Sequence, residues 1–218
     1  AWMLQKRDKS LEMALYGLSR NPRKAAWNRL AFYNLTDMER TAEALKYADA
    51  LFNASDSSKF TGFDYTYYGT ALKNDKQYDK AIEMFNKAME ENKGNEELVN
   101  SNRKALSDLF LAKEDFDKAT AYYEEYLKHA PKTTASDMAG LATIYMNLAA
   151  KQTGDQQKAS FKKADDVYAR LGEKFPANID FANFMRARIN SNLDPETKEG
   201  LAKPFYEAIV NSLANKTD

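Results

Sequence analysis

Tyr65-Thr66-Tyr67-Tyr68-Gly69-Thr70-Ala71-Leu72, followed by Tyr78-Asp79-Lys80-Ala81-Ile82-Glu83-Met84-Phe85-Asn86-Lys87-Ala88, is the stretch that decides how this chain folds. In the first segment Tyr65 precedes the small residue Gly69 by four positions. In the second, Ala81, Phe85 and Ala88 stand at i, i+4 and i+7, the spacing of one helix face. Small residues at such places let the two helices of a hairpin approach closely, and aromatics fill the gaps between neighbouring hairpins. The stretch predicts a helical hairpin over 63–92.

The second-helix pattern recurs on both sides. Downstream, Ala119, Tyr123 and Tyr126-Leu127 repeat it before Pro131. Ala164, Tyr168 and Leu171 repeat it before Pro176, and Ala202, Tyr206 and Ile209 follow. Upstream, Ala44, Ala48 and Leu51 give one copy, and Ser10, Ala14 and Gly17-Leu18, closed by Pro22, another. The anchors fall at 10, 44, 81, 119, 164 and 202. First helices are expected near 23–35, 63–75, 95–112, 133–151 and 178–191. Thr36-Asp37-Met38-Glu39 has the form of a capping box and Asp194-Pro195-Glu196 of an N-cap with proline in the first turn, so each should start a second helix. The wide step from 119 to 164 implies an insertion around Ala149–Phe161 with Gly154-Asp155 at its tip. Pro204 inside the last second helix should kink it.

This pattern resembles the tetratricopeptide repeat, a helix-turn-helix unit of about 34 residues with small and aromatic residues at fixed places. The resemblance implies an all-α fold, a right-handed α-solenoid of helical hairpins. It would form one domain over 1–218, with an unpaired helix at 3–20 and hairpins at about 23–53, 63–92, 95–130, 133–175 and 178–214. Because 3–20 reads as a second helix without its first, we expect the chain to be a piece of a longer protein rather than to begin with its own cap. Phe184-Met185-Arg186-Ala187-Arg188, Leu193-Asp194-Pro195 and Gly200–Glu207 are similar to the terminal repeat of secreted or envelope-associated bacterial tetratricopeptide proteins. With the absence of cysteine, this favours an extracytoplasmic setting (periplasm or cell envelope), a cytoplasmic one being the alternative.

Composition narrows the function classes. Lys+Arg and Asp+Glu are both 32. That zero formal charge argues against nucleic acid or an anionic membrane as the main partner, since both demand a basic excess. No apolar run approaches the roughly 18 residues of a membrane-inserted span. The absence of cysteine and the single histidine, His129, leave no thiol nucleophile, no catalytic triad and no histidine-rich metal site. Glycines occur singly, so no phosphate loop is present, and Asp56-Ser57-Ser58-Lys59 lacks the alternating ligands of a calcium loop. Glu90-Glu91, Glu124-Glu125 and Asp165-Asp166 are adjacent pairs, which point about 100° apart on a helix and share no site. Asn53-Ala54-Ser55 and Asn215-Lys216-Thr217 fit the N-glycosylation sequon. The chain is not expected to be an enzyme, to bind a cofactor or to hold a metal.

Binding is the remaining class. By resemblance, first helices line the concave face, which here carries Asn28, Phe32, Thr66, Tyr67, Thr70, Lys73, Lys104, Asp108, Leu111, Thr143, Met146 and Asn147. The chaperone-binding members hold a C-terminal carboxylate with Lys, Asn and Arg. The corresponding places here, Asn28 and Phe32, then Tyr67, then Ser101 and Ala105, do not match that set. The expected partner is therefore another protein or peptide of a different kind. The alternative is a glycan or cell-envelope polymer, bound by Tyr67 and Tyr122, which lie off the packing framework occupied by Tyr65, Tyr68, Tyr123 and Tyr126.

Overall fold

The computed structural model describes residues 2–57 and 59–214, and among them every regular element is helical. Two compact units divide the chain, Ala1–Leu109 and Phe110–Asp218. The first contains α1 (Trp2–Arg20), α2 (Ala25–Asp37), α3 (Thr41–Asp49), α4 (Gly62–Asn74), α5 (Tyr78–Glu91) and most of α6 (Glu96–Ala112). The second contains α7 (Phe116–His129), α8 (Ala135–Lys151), α9 (Gly154–Lys174), α10 (Ile179–Leu193) and α11 (Lys203–Ala214).

The small anchor residues are where helices meet. Ala44, Ala81, Ala119 and Ala164 are each 0 % exposed, and the aromatics one turn on, Phe85, Tyr123 and Tyr168, are buried with them. Gly69 explains itself sterically: a Cβ there would lie 3.0 Å from the Phe85 ring. Within the first unit, α2, α3, the π-helical turn Ala50–Ala54 that follows α3, and α4 share a core of Phe32, Leu35, Ala48, Leu51 and Ala71, against which α1 contributes Leu11 and Ala14.

One turn type joins the helices of three hairpins. Glu39, Lys76 and Glu114 take φ of 58°, 62° and 57°, the left-handed region. The following amides of Arg40, Gln77 and Asp115 each donate to a carbonyl five residues back, Leu35, Leu72 and Phe110, at 2.9 Å. This is the Schellman closure of a helix C-terminus. It recurs with the same spacing as the anchors, each left-handed residue preceding its alanine by five positions.

Four local expectations need correction. Thr36-Asp37-Met38-Glu39 does not start α3: Thr36 and Asp37 end α2, where the buried Thr36 hydroxyl donates to Phe32 O at 2.9 Å. The capping boxes are instead Thr61–Asp64 and Thr134–Asp137, which start the first helices α4 and α8. Asp194 starts no helix. It follows α10, and its carboxylate gathers the amides of Lys198, Glu199 and Gly200 at 2.7–3.0 Å, winding the chain through Thr197 (φ 53°) and Gly200 (φ 67°). Ala202 consequently lies in the turn before α11, and Pro204 is the second residue of that helix. There its missing N–H breaks no helical bond, so it imposes no kink. At the insertion the tip is Gln152-Thr153, and Gly154 (φ 60°) opens the 21-residue α9.

Candidate binding surface

The face of α4 that carries Thr66, Thr70 and Lys73 follows directly from the helix period, since these residues stand at i, i+4 and i+7. All three are half-exposed. Thr70 spends its hydroxyl on its own helix, donating to Thr66 O at 2.9 Å. Thr66 reaches across to α6 and donates to Asn102 Oδ1 at 3.1 Å, while Asn102 is itself buried and anchored to Leu98 O at 2.9 Å. That bridge sets α6 beside α4. Lys104 and Asp108 of α6 then join Lys73 in one charged group. Desolvation by the surrounding helices raises the Asp108 pKa, and the attraction of Lys73 and Lys104 opposes that rise. Leu111, half-exposed, lies on the end of α6 that belongs to the second unit.

Towards α2 the surface is fixed by a buried carboxylate. Asp64 is 0 % exposed. It accepts from Arg29 Nε at 2.6 Å and from a second Arg29 nitrogen at 3.0 Å. Tyr33 Oη at 2.9 Å, the Thr61 amide at 2.8 Å and the Thr61 hydroxyl at 3.1 Å also donate to it. Burial pushes the Asp64 carboxyl up, but the bonds from Arg29, Thr61 and Tyr33 outweigh it and hold the pKa below its ordinary value. Burial, with the Asp64 charge, drives the Tyr33 phenol upward. Tyr33 stacks on Tyr67, ring centroids 3.9 Å apart and 10° from parallel.

The expected residues on α2 are placed differently. Asn28 and Phe32 are 2 % and 0 % exposed. Asn28 donates to Pro22 O at 3.0 Å, and Phe32 is ringed by Tyr33, Tyr67 and Tyr68. Both are core residues, and the partly open positions are Arg29 and Tyr33, one residue on. Tyr67 is half-buried in its stack, and Tyr122 likewise stacks on Phe110, centroids 5.4 Å apart. One ring face of each is taken. In the second unit Thr143 is exposed on α8 and donates to Ala139 O at 2.9 Å, with Met146 and Asn147 half-exposed one turn on.

The remaining polar candidates have local roles. His129, the last residue of α7, sets Nε2 3.3 Å from Glu125 Oε2. Asp56 holds the start of α2, accepting from the Ala25 amide at 2.7 Å. Ser58 of that same short stretch lies outside the described residues. Asn53 donates to Asp49 at 2.7 Å, and the second sequon, Asn215-Lys216-Thr217, lies outside the described residues. Among the described residues no cluster of His, Asp or Glu is arranged to hold a metal ion, and no helix is long and apolar enough to cross a membrane.

No protein-family model matches the sequence, and no curated protein matches it significantly. Solved structures do. The C-terminal part of a TPR repeat-containing protein from Cytophaga hutchinsonii matches with a TM-score of 0.73 and 22 % identity, over 99 % of this chain and 78 % of that one. The fold is of tetratricopeptide type. MamA of strain MSR-1 matches with a TM-score of 0.60 at 14 % identity, over 89 % of this chain and 98 % of its own. A Podospora anserina protein of the kinesin light chain kind, built of nearly identical TPR-like repeats, matches at 0.56 and 14 %, over 91 % and 97 %. At these identities the tetratricopeptide likeness is one of fold, and the function must be argued from this chain's own surface.

Proposed function

We propose that this protein is an interaction scaffold that binds a segment of another protein on the open face of its first helices, centred in the first unit on Thr66, Thr70, Lys73, Lys104 and Asp108. One observation carries the reading. Thr66 of α4 bonds to Asn102 of α6, Lys73 and Lys104 both attract Asp108, and all five residues are at least half-open, which supports reading them as one row. Mixed charge and hydroxyl groups on a rigid helical floor suit a polypeptide, whose amides and side chains offer both donors and acceptors. Arg29 and Tyr33 extend the row onto α2, pre-organised by Asp64. Nothing in the row resembles a nucleophile with its base.

The glycan reading depends on open tyrosine faces, and Tyr67 and Tyr122 each have one covered by Tyr33 and Phe110. We therefore favour a protein segment. Lys104→Glu and Thr70→Arg test this by calorimetric titration against a captured partner, with both variants expected to bind at least tenfold more weakly at unchanged helicity. Unchanged affinity in both would remove the row as the site.

A further inference from the structure

The second unit contains a cleft of about 640 Å³ between α7, α8 and α9 that the proposal above does not use. Its floor is apolar: Leu127 comes from α7, Met138 and Leu141 from α8, and Val167 from α9. The last three are 8 %, 5 % and 2 % exposed, so they are fixed by the core below and form a rigid base.

The rim is chemically asymmetric. On one wall Glu124 already accepts a short bond from the Tyr145 hydroxyl. On the other, Arg170 and Lys174 stand one turn apart on α9. The Arg170 Nε reaches only the Asp166 carbonyl, at 3.4 Å, and Lys174 lies over the Phe175 ring, 5.7 Å from its centroid. Neither cation has a carboxylate partner among the described residues, in contrast to Arg29 and Arg186, which are both paired with aspartates. Thr133 adds a hydroxyl at the same rim. Two carboxylates share the rim with these cations: Glu124, bonded to Tyr145, and Glu173, which would repel a run of acidic residues.

We infer that this cleft is a second docking site, taking a protein segment that carries a large apolar side chain beside a single carboxylate. The apolar side chain covers the floor of Leu127, Met138, Leu141 and Val167. The carboxylate lies between Arg170 and Lys174, where charge-assisted bonds replace solvent. Glu173 selects one acidic residue over several. The inference is independent of the α4–α6 row, and each site fails or survives alone.

A random octapeptide library displayed on phage, selected on the whole chain, is the probe. Recovered peptides are measured by fluorescence anisotropy on wild type, on Arg170→Glu/Lys174→Glu and on Lys73→Glu/Lys104→Glu. The expected class pairs Leu, Phe or Met with one nearby Asp or Glu. It should lose on the order of tenfold or more in affinity on the first double variant and be unaffected by the second. Should the charge reversal lower the thermal midpoint, Arg170→Ala and Lys174→Ala replace it, and each should still weaken binding. The inference is overturned if no apolar–acidic peptide is recovered, or if those recovered bind the Arg170 and Lys174 variants as tightly as wild type.

Discussion

Removing the Asp64 carboxylate should be among the most damaging surface-distant changes in the first unit. Asp64 is fully buried, caps α4 through Thr61, and carries two bonds from Arg29 and one from Tyr33. Breaking a buried pair by deleting one partner costs about 3–5 kcal/mol because the other charge is stranded. Arg29 keeps 30 % of its side chain exposed, so water recovers part of that. Loss of the helix cap adds about 1 kcal/mol. Asp64→Ala should therefore cost about 3 kcal/mol, read as a lower urea midpoint at pH 7. Glu43→Ala, which breaks an exposed pair with Arg40, should leave the midpoint in place. The pH dependence has a definite sign. The Asp64 pKa is lowered in the folded protein, so its contribution is present above the ordinary carboxylate pKa and is lost as pH falls through the folded value. The gap between wild type and Asp64→Ala should narrow in acid. A loss below about 1 kcal/mol at pH 7, or a gap that widens in acid, would refute the assignment of Asp64 as the pin of this surface.

Three further outcomes follow from the packing. Ala81→Trp should cost about 3 kcal/mol or more, because Ala81 is 0 % exposed where α4 and α5 touch, whereas Glu90→Ala should leave the denaturant midpoint unmoved. Lys76→Gly should raise the stability by about 0.5 kcal/mol, read as a higher midpoint, since glycine removes the cost of φ 62° at an exposed turn; a fall would mean that the turn relaxes in solution. Far-ultraviolet circular dichroism should show a helical protein with less than about a tenth strand.

The helical-hairpin architecture was legible because its signal is steric. Where two helices touch, only a small residue fits, and Ala44, Ala81, Ala119 and Ala164 stand at those contacts, all 0 % exposed. The left-handed turns were not legible, because Glu39, Lys76 and Glu114 give none of the glycine signal that usually marks them. At the C-terminal end, local pattern misled: Asp194 looks like a helix N-cap, but its carboxylate binds the amides of a loop that carries Ala202 out of the helix. The α2 surface was misplaced by one residue for a related reason. The step of 37 from Ala44 to Ala81 also separates Arg29 from Thr66 and Tyr33 from Thr70. Counting back by that step leads to the partly open Arg29 and Tyr33, one residue on from the buried Asn28 and Phe32. What no pattern reveals is that Asp64, 35 residues from Arg29 and 31 from Tyr33, fixes both side chains.

The central claim is that a protein segment binds across α4 and α6, and site-specific photo-crosslinking tests it most directly. Benzoylphenylalanine placed at Thr70 sits in the middle of the row, and the same group at Glu90 sits on the exposed side of α5. Irradiated in an extract of the source cells, the Thr70 probe should give a discrete protein adduct that Lys104→Glu abolishes, and the Glu90 probe should give none. Adducts from Glu90 alone, or a Thr70 adduct indifferent to Lys104→Glu, would contradict the account.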